Sequence, residues 1–300
     1  MNIKQILKQS TEICGVFLIY LATYAVVRIL FVSFLTYISI APGTKLGDLS
    51  DALSNHELTI SSLGSLLFIL GSIALYPLVL LPRSKFLQRG FIFPYYFRSF
   101  TQGAWLALVF CLLFLVLGTY RYLGFFIHYE GAPLALLALI MRMSFLIALI
   151  YCDEYFFREQ LLGKFVNLSR TPLTNAVVLT SLLYVGLRAF QFDLGWMHAM
   201  TLFLIGIKLA QFRIEHQSFV HGAGWLSGLF VIIHVFFGLP IFGVEFPGVL
   251  LLKYSEPMNA SRIDILLTGG GGGPLSSILL QLYLLGTILW QAYRNKSIIK

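Results

Sequence analysis

The sequence predicts an all-α, polytopic membrane helical bundle of about eight transmembrane helices, with the N- and C-termini cytoplasmic. Three observations carry that reading. Hydrophobic residues make up 58% of the chain and charged residues only 11%, with a mean hydropathy of +0.84; a soluble domain has about half apolar and a quarter charged residues. A spanning helix needs about 20 mostly apolar residues, and such runs lie at roughly 14–38, 59–82, 102–120, 133–157, 173–192, 197–212, 218–238 and 274–292, the fifth interrupted and the sixth short. The third observation is where Lys and Arg fall. With the N-terminus inside, the inner segments hold Lys4, Lys8, Arg83, Lys85, Arg89, Arg98, Arg158, Lys164, Arg170, Arg213, Arg294, Lys296 and Lys300. The outer loops hold only Lys45, Arg121, Lys253 and Arg262, which is the positive-inside bias. An even number of spans follows, in a single integral membrane domain over residues 1–300. The expected location is the cell membrane, multi-pass, or an internal membrane if the source is eukaryotic.

Residues 1–12 form a short polar start. The run after them is longer than a signal-peptide core and lacks a clear small-residue cleavage site, so it is expected to stay as the first span. Arg28 within it reads as a snorkelling or structurally paired cation. The segment from Leu81 to Arg98 interleaves arginine and lysine with aromatic rings, which suits the cytoplasmic interface and its phosphates. The net charge of +8 therefore points to membrane lipids as the counter-charge and requires no nucleic acid. Arg142, in the fourth run, precedes Glu154 by about 18 Å of helix, so no direct bond between them is expected.

Further along, Gly269 to Gly273 followed by Pro274 reads as a flexible outer linker whose proline opens the last helix. The stretch Leu239 to Leu252 is apolar but broken by glycine and proline, and either lies on the outer surface or dips back in. Cys14, Cys111 and Cys152 form neither a CxxC pair nor a spaced framework. There is no HExxH, GxSxG or P-loop, and no third ligand to join Glu154 and His221 around zinc, so no metal or cofactor is expected. His198, His216 and His234 read as structural. No inverted repeat or pair of broken helices suggests a transporter.

The chain turns on Tyr151-Cys-Asp-Glu-Tyr-Phe-Phe-Arg-Glu-Gln-Leu-Leu162. Asp153 and Glu154 sit at the inner end of an apolar run, where an ionised carboxylate costs several kcal/mol unless it is paired or reached by water. Arg158 lies four residues after Glu154, on the same helical face, and can pair with it. The residues alone leave two readings open: a structural ion pair at a helix end, or a catalytic carboxylate.

The segment Asp153-Glu-Tyr-Phe-Phe-Arg158 with Leu161-Leu162 resembles the first signature of the membrane-embedded CAAX-protease and bacteriocin-processing family, two acids, three residues and an arginine on the fourth of about eight spans. That family's second signature is an aromatic residue, three others and a histidine; Tyr184 is the matching aromatic here, but Arg188 stands where the histidine belongs. The third, a histidine followed four places on by asparagine or aspartate, matches His221 and departs at Trp225. The resemblance covers about residues 133–238. It implies an intramembrane endopeptidase that hydrolyses peptide bonds of membrane-associated or prenylated substrates. In it Glu154 would be the general base, Asp153 and Arg158 its supports, and His221 a holder of water or oxyanion. Arg188 can offer charge and donors but cannot shuttle a proton, and if paired with Glu154 it would weaken that base. The alternative is therefore a catalytically degenerate relative, acting as a membrane binding, regulatory or bacteriocin-immunity protein.

Overall fold

The computed structural model describes residues 93–126, 132–169, 173–191, 194–241, 248–254 and 266–298, together with residues 11 and 15. Apart from residue 15, the expected spans at 14–38 and 59–82, with Arg28 and the interfacial segment up to residue 92, lie outside the described residues.

Seven α-helices occur among the described residues: α1 (Phe93–Val116), α2 (Ala132–Glu154), α3 (Leu162–Ser169), α4 (Leu173–Gln191), α5 (Trp196–His216), α6 (Val220–Phe230) and α7 (Ile278–Ile298). Two of them, α1 and α5, are long and apolar enough to cross a membrane, with mean hydropathies of 2.0 and 1.2; Leu173–Ala189 and Val220–Phe236 are shorter apolar helices. Pro94 and Pro133 fall in the first turns of α1 and α2, where a missing N–H costs nothing. Helix α1 ends on Gly118 at φ +73°, with Thr119 N–H on the Phe114 carbonyl and Gly118 N–H on the Leu115 carbonyl. That left-handed cap satisfies carbonyls the last turn leaves open.

The all-α expectation needs one correction. Strand β1 (Tyr120–Phe125) pairs antiparallel with β2 (Leu250–Tyr254), in register from Tyr120 opposite Tyr254 to Phe125 opposite Leu250, with a bulge between Tyr122 and Gly124. The broken apolar stretch before residue 252 thus ends in a strand laid along the loop that follows α1. Period-2 patterning is too weak in two strands this short to show against so apolar a background.

The glycine run is likewise no open linker. Gly270–Gly272 and Pro274–Ser276 are short 3-10 helices. Gly269 and Gly273 sit at φ +86° and +80°, and a Cβ on Gly269 would strike the Gly273 carbonyl oxygen. Only glycine fits this fold-back. Pro274 opens the second 3-10 helix, and Ser277 Oγ then accepts the Leu280 N–H at 3.1 Å, capping α7.

The described residues fall into two compact units, whose boundary lies within α2 between Cys152 and Asp153. In the first, Leu139, Arg142, Leu146 and Ile150 are buried at helical spacing along one face of α2. The second contains residues 93–126 and everything described from Asp153 onward. Its tightest seam is α1 against α6. A Cβ on Gly224 would fall within reach of the Tyr96 carbonyl oxygen, one on Gly228 would meet that of Phe100, and one on Gly103 that of Trp225. Gly224 and Gly228 are four apart, the small-residue spacing that lets apolar helices approach backbone to backbone. Across α5 and α7, Lys208 donates to Gln291 Oε1 at 2.7 Å, and Gln211 donates to the Ile288 carbonyl at 3.2 Å. An apparently stray lysine in an apolar run is thereby satisfied.

Candidate functional site

The site is assembled in the second unit from the end of α2 and from α4, α5 and α6. At Tyr155 the helix widens: Tyr155–Leu161 forms a π-helical segment, and α3 resumes at Leu162. Gln160 Nε2 donates to Tyr155 Oη at 2.8 Å, a five-residue separation that a π turn brings into line. The wider turn lets Tyr155, Phe156, Phe157 and Arg158 all be buried, which a regular α-helix with one buried face would not allow. Such segments inside α-helices are frequent at functional sites. A second one, Val231–Phe236, follows α6 and carries His234, whose Nδ1 lies 3.1 Å from the Leu239 carbonyl oxygen.

Asp153, Glu154, Arg158 and Arg188 are all buried, each at most 1% exposed. The two acids do not share their cations. Arg188, reaching from α4, forms an ion pair with Asp153. Arg158 stands 3.8 Å from Glu154, at the expected four-residue separation. Tyr184, one turn before Arg188, lies between the two guanidinium groups, whose carbons are 5.7 Å (Arg158) and 5.6 Å (Arg188) from its ring centre. Phe157 meets that ring edge-on at 5.3 Å. Both cations thus rest against one aromatic ring, a desolvated cation–π arrangement worth about 2 kcal/mol each. Two carboxylates and two guanidiniums make the cluster neutral.

Two glycines complete it. A Cβ on Gly222, in the first turn of α6, would be 3.0 Å from Glu154 Oε2, with Leu209 of α5 next at 3.2 Å. A Cβ on Gly206 of α5 would be 3.0 Å from Ser181 Oγ and 3.2 Å from an Arg158 nitrogen. The backbones of α5 and α6 therefore close directly over the two charged groups.

The hydrogen-bond pattern is uneven. Neither oxygen of Glu154 and none of the three guanidinium nitrogens of Arg158 has a hydrogen-bond partner among the described residues. A buried polar group left this way costs about 1–3 kcal/mol, and more if charged. The attraction at 3.8 Å offsets part of this, about 4 kcal/mol at an effective dielectric of 20. Buried groups of this kind are accounted for by bound water or ions, or by a chemical role.

His221 stands apart. It follows Val220 at the start of α6, beside the Gly222 that covers Glu154, but its ring stacks on His216 at 4.0 Å and 14° and approaches Tyr95 at 5.4 Å. It makes no hydrogen bond to Glu154. Trp225 is a buried residue against Phe212 (5.9 Å) and takes a packing role where the resemblance would place a polar group. Sequence reading missed the roles of Gly206 and Gly222 and the π turn; the aromatic at Tyr184 was visible, its place between two cations was not. Among the described residues no group of three or more His, Cys, Asp or Glu is placed to hold a metal.

No protein-family model, no curated protein and no solved structure matches the chain.

Proposed function

We propose that the chain is an eight-span membrane endopeptidase of the CAAX-protease and bacteriocin-processing type, with both termini cytoplasmic, acting on membrane-associated or prenylated peptide substrates. The observation that carries this reading is the division of the cations. Arg188 pairs with Asp153, while Glu154 has only Arg158 at 3.8 Å and, among the described residues, no hydrogen bond on either oxygen. Had Arg188 closed on Glu154, it would have held that carboxylate ionised and weakened it as a base.

In this reading Glu154 takes a proton from a water molecule, whose oxygen attacks the scissile carbonyl. Arg158, whose nitrogens make no hydrogen bond among the described residues, faces the negative charge that develops. The proton then passes to the departing amine. Asp153 and Arg188 hold the end of α2 against α4, and Gly222 keeps the α6 backbone close to the carboxylate. Substrate enters when α6 moves away, because Glu154 is fully enclosed.

The degenerate alternative is favoured by that same enclosure and by the stacking of His221 on His216. The two readings separate on one experiment. Purified protein in lipid nanodiscs is incubated with prenylated and unprenylated membrane peptides, and new termini are identified by mass spectrometry. Endopeptidase chemistry requires cleavage that falls by about 100-fold or more in Glu154→Gln, the contribution expected of a general base. No cleavage by the wild-type protein, or cleavage indifferent to Glu154→Gln, removes the proposal.

A further inference from the structure

A second group of chemically capable side chains lies away from the Glu154 cluster. Ser276 Oγ is 2.7 Å from His198 Nδ1. His198 precedes Leu209, the α5 residue beside Glu154, by about 16 Å of helix, so the two sites share a helix but not a centre. We infer that Ser276 and His198 form a nucleophile–base pair that accepts acyl esters. A serine hydroxyl is a weak nucleophile until a base at hydrogen-bond distance takes its proton, and that base is most effective when a third group orients it.

His198 is 4% exposed, while Ser276 is only part-buried, so the base is sheltered and the hydroxyl reachable. The Nε2 atom of His198 has no hydrogen-bond partner among the described residues. Hydrogen on Nε2 with a bare Nδ1 is the tautomer that receives the Ser276 proton. The other acceptor near the hydroxyl, the Gly272 carbonyl, is distant at 3.4 Å.

The surroundings fit the reaction. Ser276 is followed by Ser277, which caps α7, and the first amides of that helix have no intrahelical acceptor. They bring the positive end of a 21-residue helix beside the nucleophile. The Gly269–Gly273 turn that presents Ser276 is fixed by Tyr120, whose hydroxyl donates to the Gly270 carbonyl at 3.0 Å. Exposed Leu266 and Leu267 lead into the turn, and exposed Trp196 and Met200 stand at the head of α5. An apolar surface of this kind suits an ester with a long acyl chain.

The step balances simply. Ser276 Oγ bonds to the acyl carbon, its proton passes to His198 Nδ1, and the ring delivers that proton to the departing alcohol. Water, deprotonated by the same nitrogen, then cleaves the acyl-serine, releasing the acid and restoring the hydroxyl.

The test uses full-length protein in detergent micelles with a fluorophosphonate probe, the labelled residue being located by mass spectrometry, and p-nitrophenyl octanoate hydrolysis followed in parallel. Folded wild-type protein is expected to be labelled on Ser276, and heat-denatured protein not at all. Ser276→Ala should lose both label and hydrolysis. His198→Gln should label at least about 100-fold more slowly, the usual contribution of a positioned base, with its helical circular dichroism unchanged. Absence of label on Ser276 in folded wild-type protein overturns the inference. So does wild-type labelling in His198→Gln, which would make the hydrogen bond a mere anchor for the glycine turn.

Discussion

The ion pair between Asp153 and Arg188 is the part of the site whose strength can be measured without knowing a substrate. Its side chains are 1% and 2% accessible. Replacing Arg188 by methionine keeps most of the stem but takes away the cation that Asp153 is paired with. Breaking a buried pair by removing one partner destabilises by about 3–5 kcal/mol, whereas removing both charges together is often close to neutral. The expected pattern is therefore a large loss for Arg188→Met and a smaller loss when Asp153→Asn is added. The coupling between the two positions should be at least about 2 kcal/mol, within the range seen for residues in contact. The assay is reversible unfolding in mixed micelles with increasing dodecyl sulfate, read by tryptophan fluorescence, on the four members of the cycle. If the double variant is no more stable than Arg188→Met alone, Arg188 is not the partner of Asp153, and the division of cations on which Glu154 depends is wrong.

Two further outcomes follow from the packing. Gly224→Val places methyl groups against the Tyr96 backbone of α1, where overpacking costs about 1–3 kcal/mol; a wild-type melting temperature in that variant would show that α1 and α6 are not in backbone contact. On the two-stranded sheet, Arg121 and Lys253 stand directly opposite one another, and like charges so placed are unfavourable. Lys253→Glu should stabilise the pairing by about 0.2–1 kcal/mol and slow hydrogen exchange at the Phe126 amide, which bonds the Val249 carbonyl; faster exchange would contradict the register.

The helices were legible because long apolar runs announce themselves by composition, although of the described helices only α1 and α5 are long and apolar enough to cross a membrane. Six of the expected runs coincide with described helices, from the run at 102–120, which begins earlier at Phe93, to the run at 274–292, which ends later. The Glu154–Arg158 pairing was legible for the same reason, since four-residue spacing survives even where the helix widens. The partner of Arg188 was not, because it depends on how α4 packs beside the end of α2, and no spacing along the chain encodes that. The π segment escaped notice since an extra residue per turn leaves hydropathy unchanged. Gly206 and Gly222 looked like ordinary small residues until the charges beneath them were placed. The Ser276–His198 contact was hidden for a different reason: it joins a glycine turn to a helix head 78 residues away, and His198 alone reads as structural.

Glu154 holds its cation only loosely, at 3.8 Å, whereas Asp153 is closed on Arg188. Dicyclohexylcarbodiimide reacts with carboxyl groups in apolar surroundings that can take up a proton, and closely ion-paired carboxylates resist it. Treated protein, digested and mapped by mass spectrometry, should carry the adduct on Glu154 and not on Asp153, and Arg188→Met should expose Asp153 to the reagent. An unmodified Glu154, or equal modification of both acids in the wild-type protein, would contradict the account.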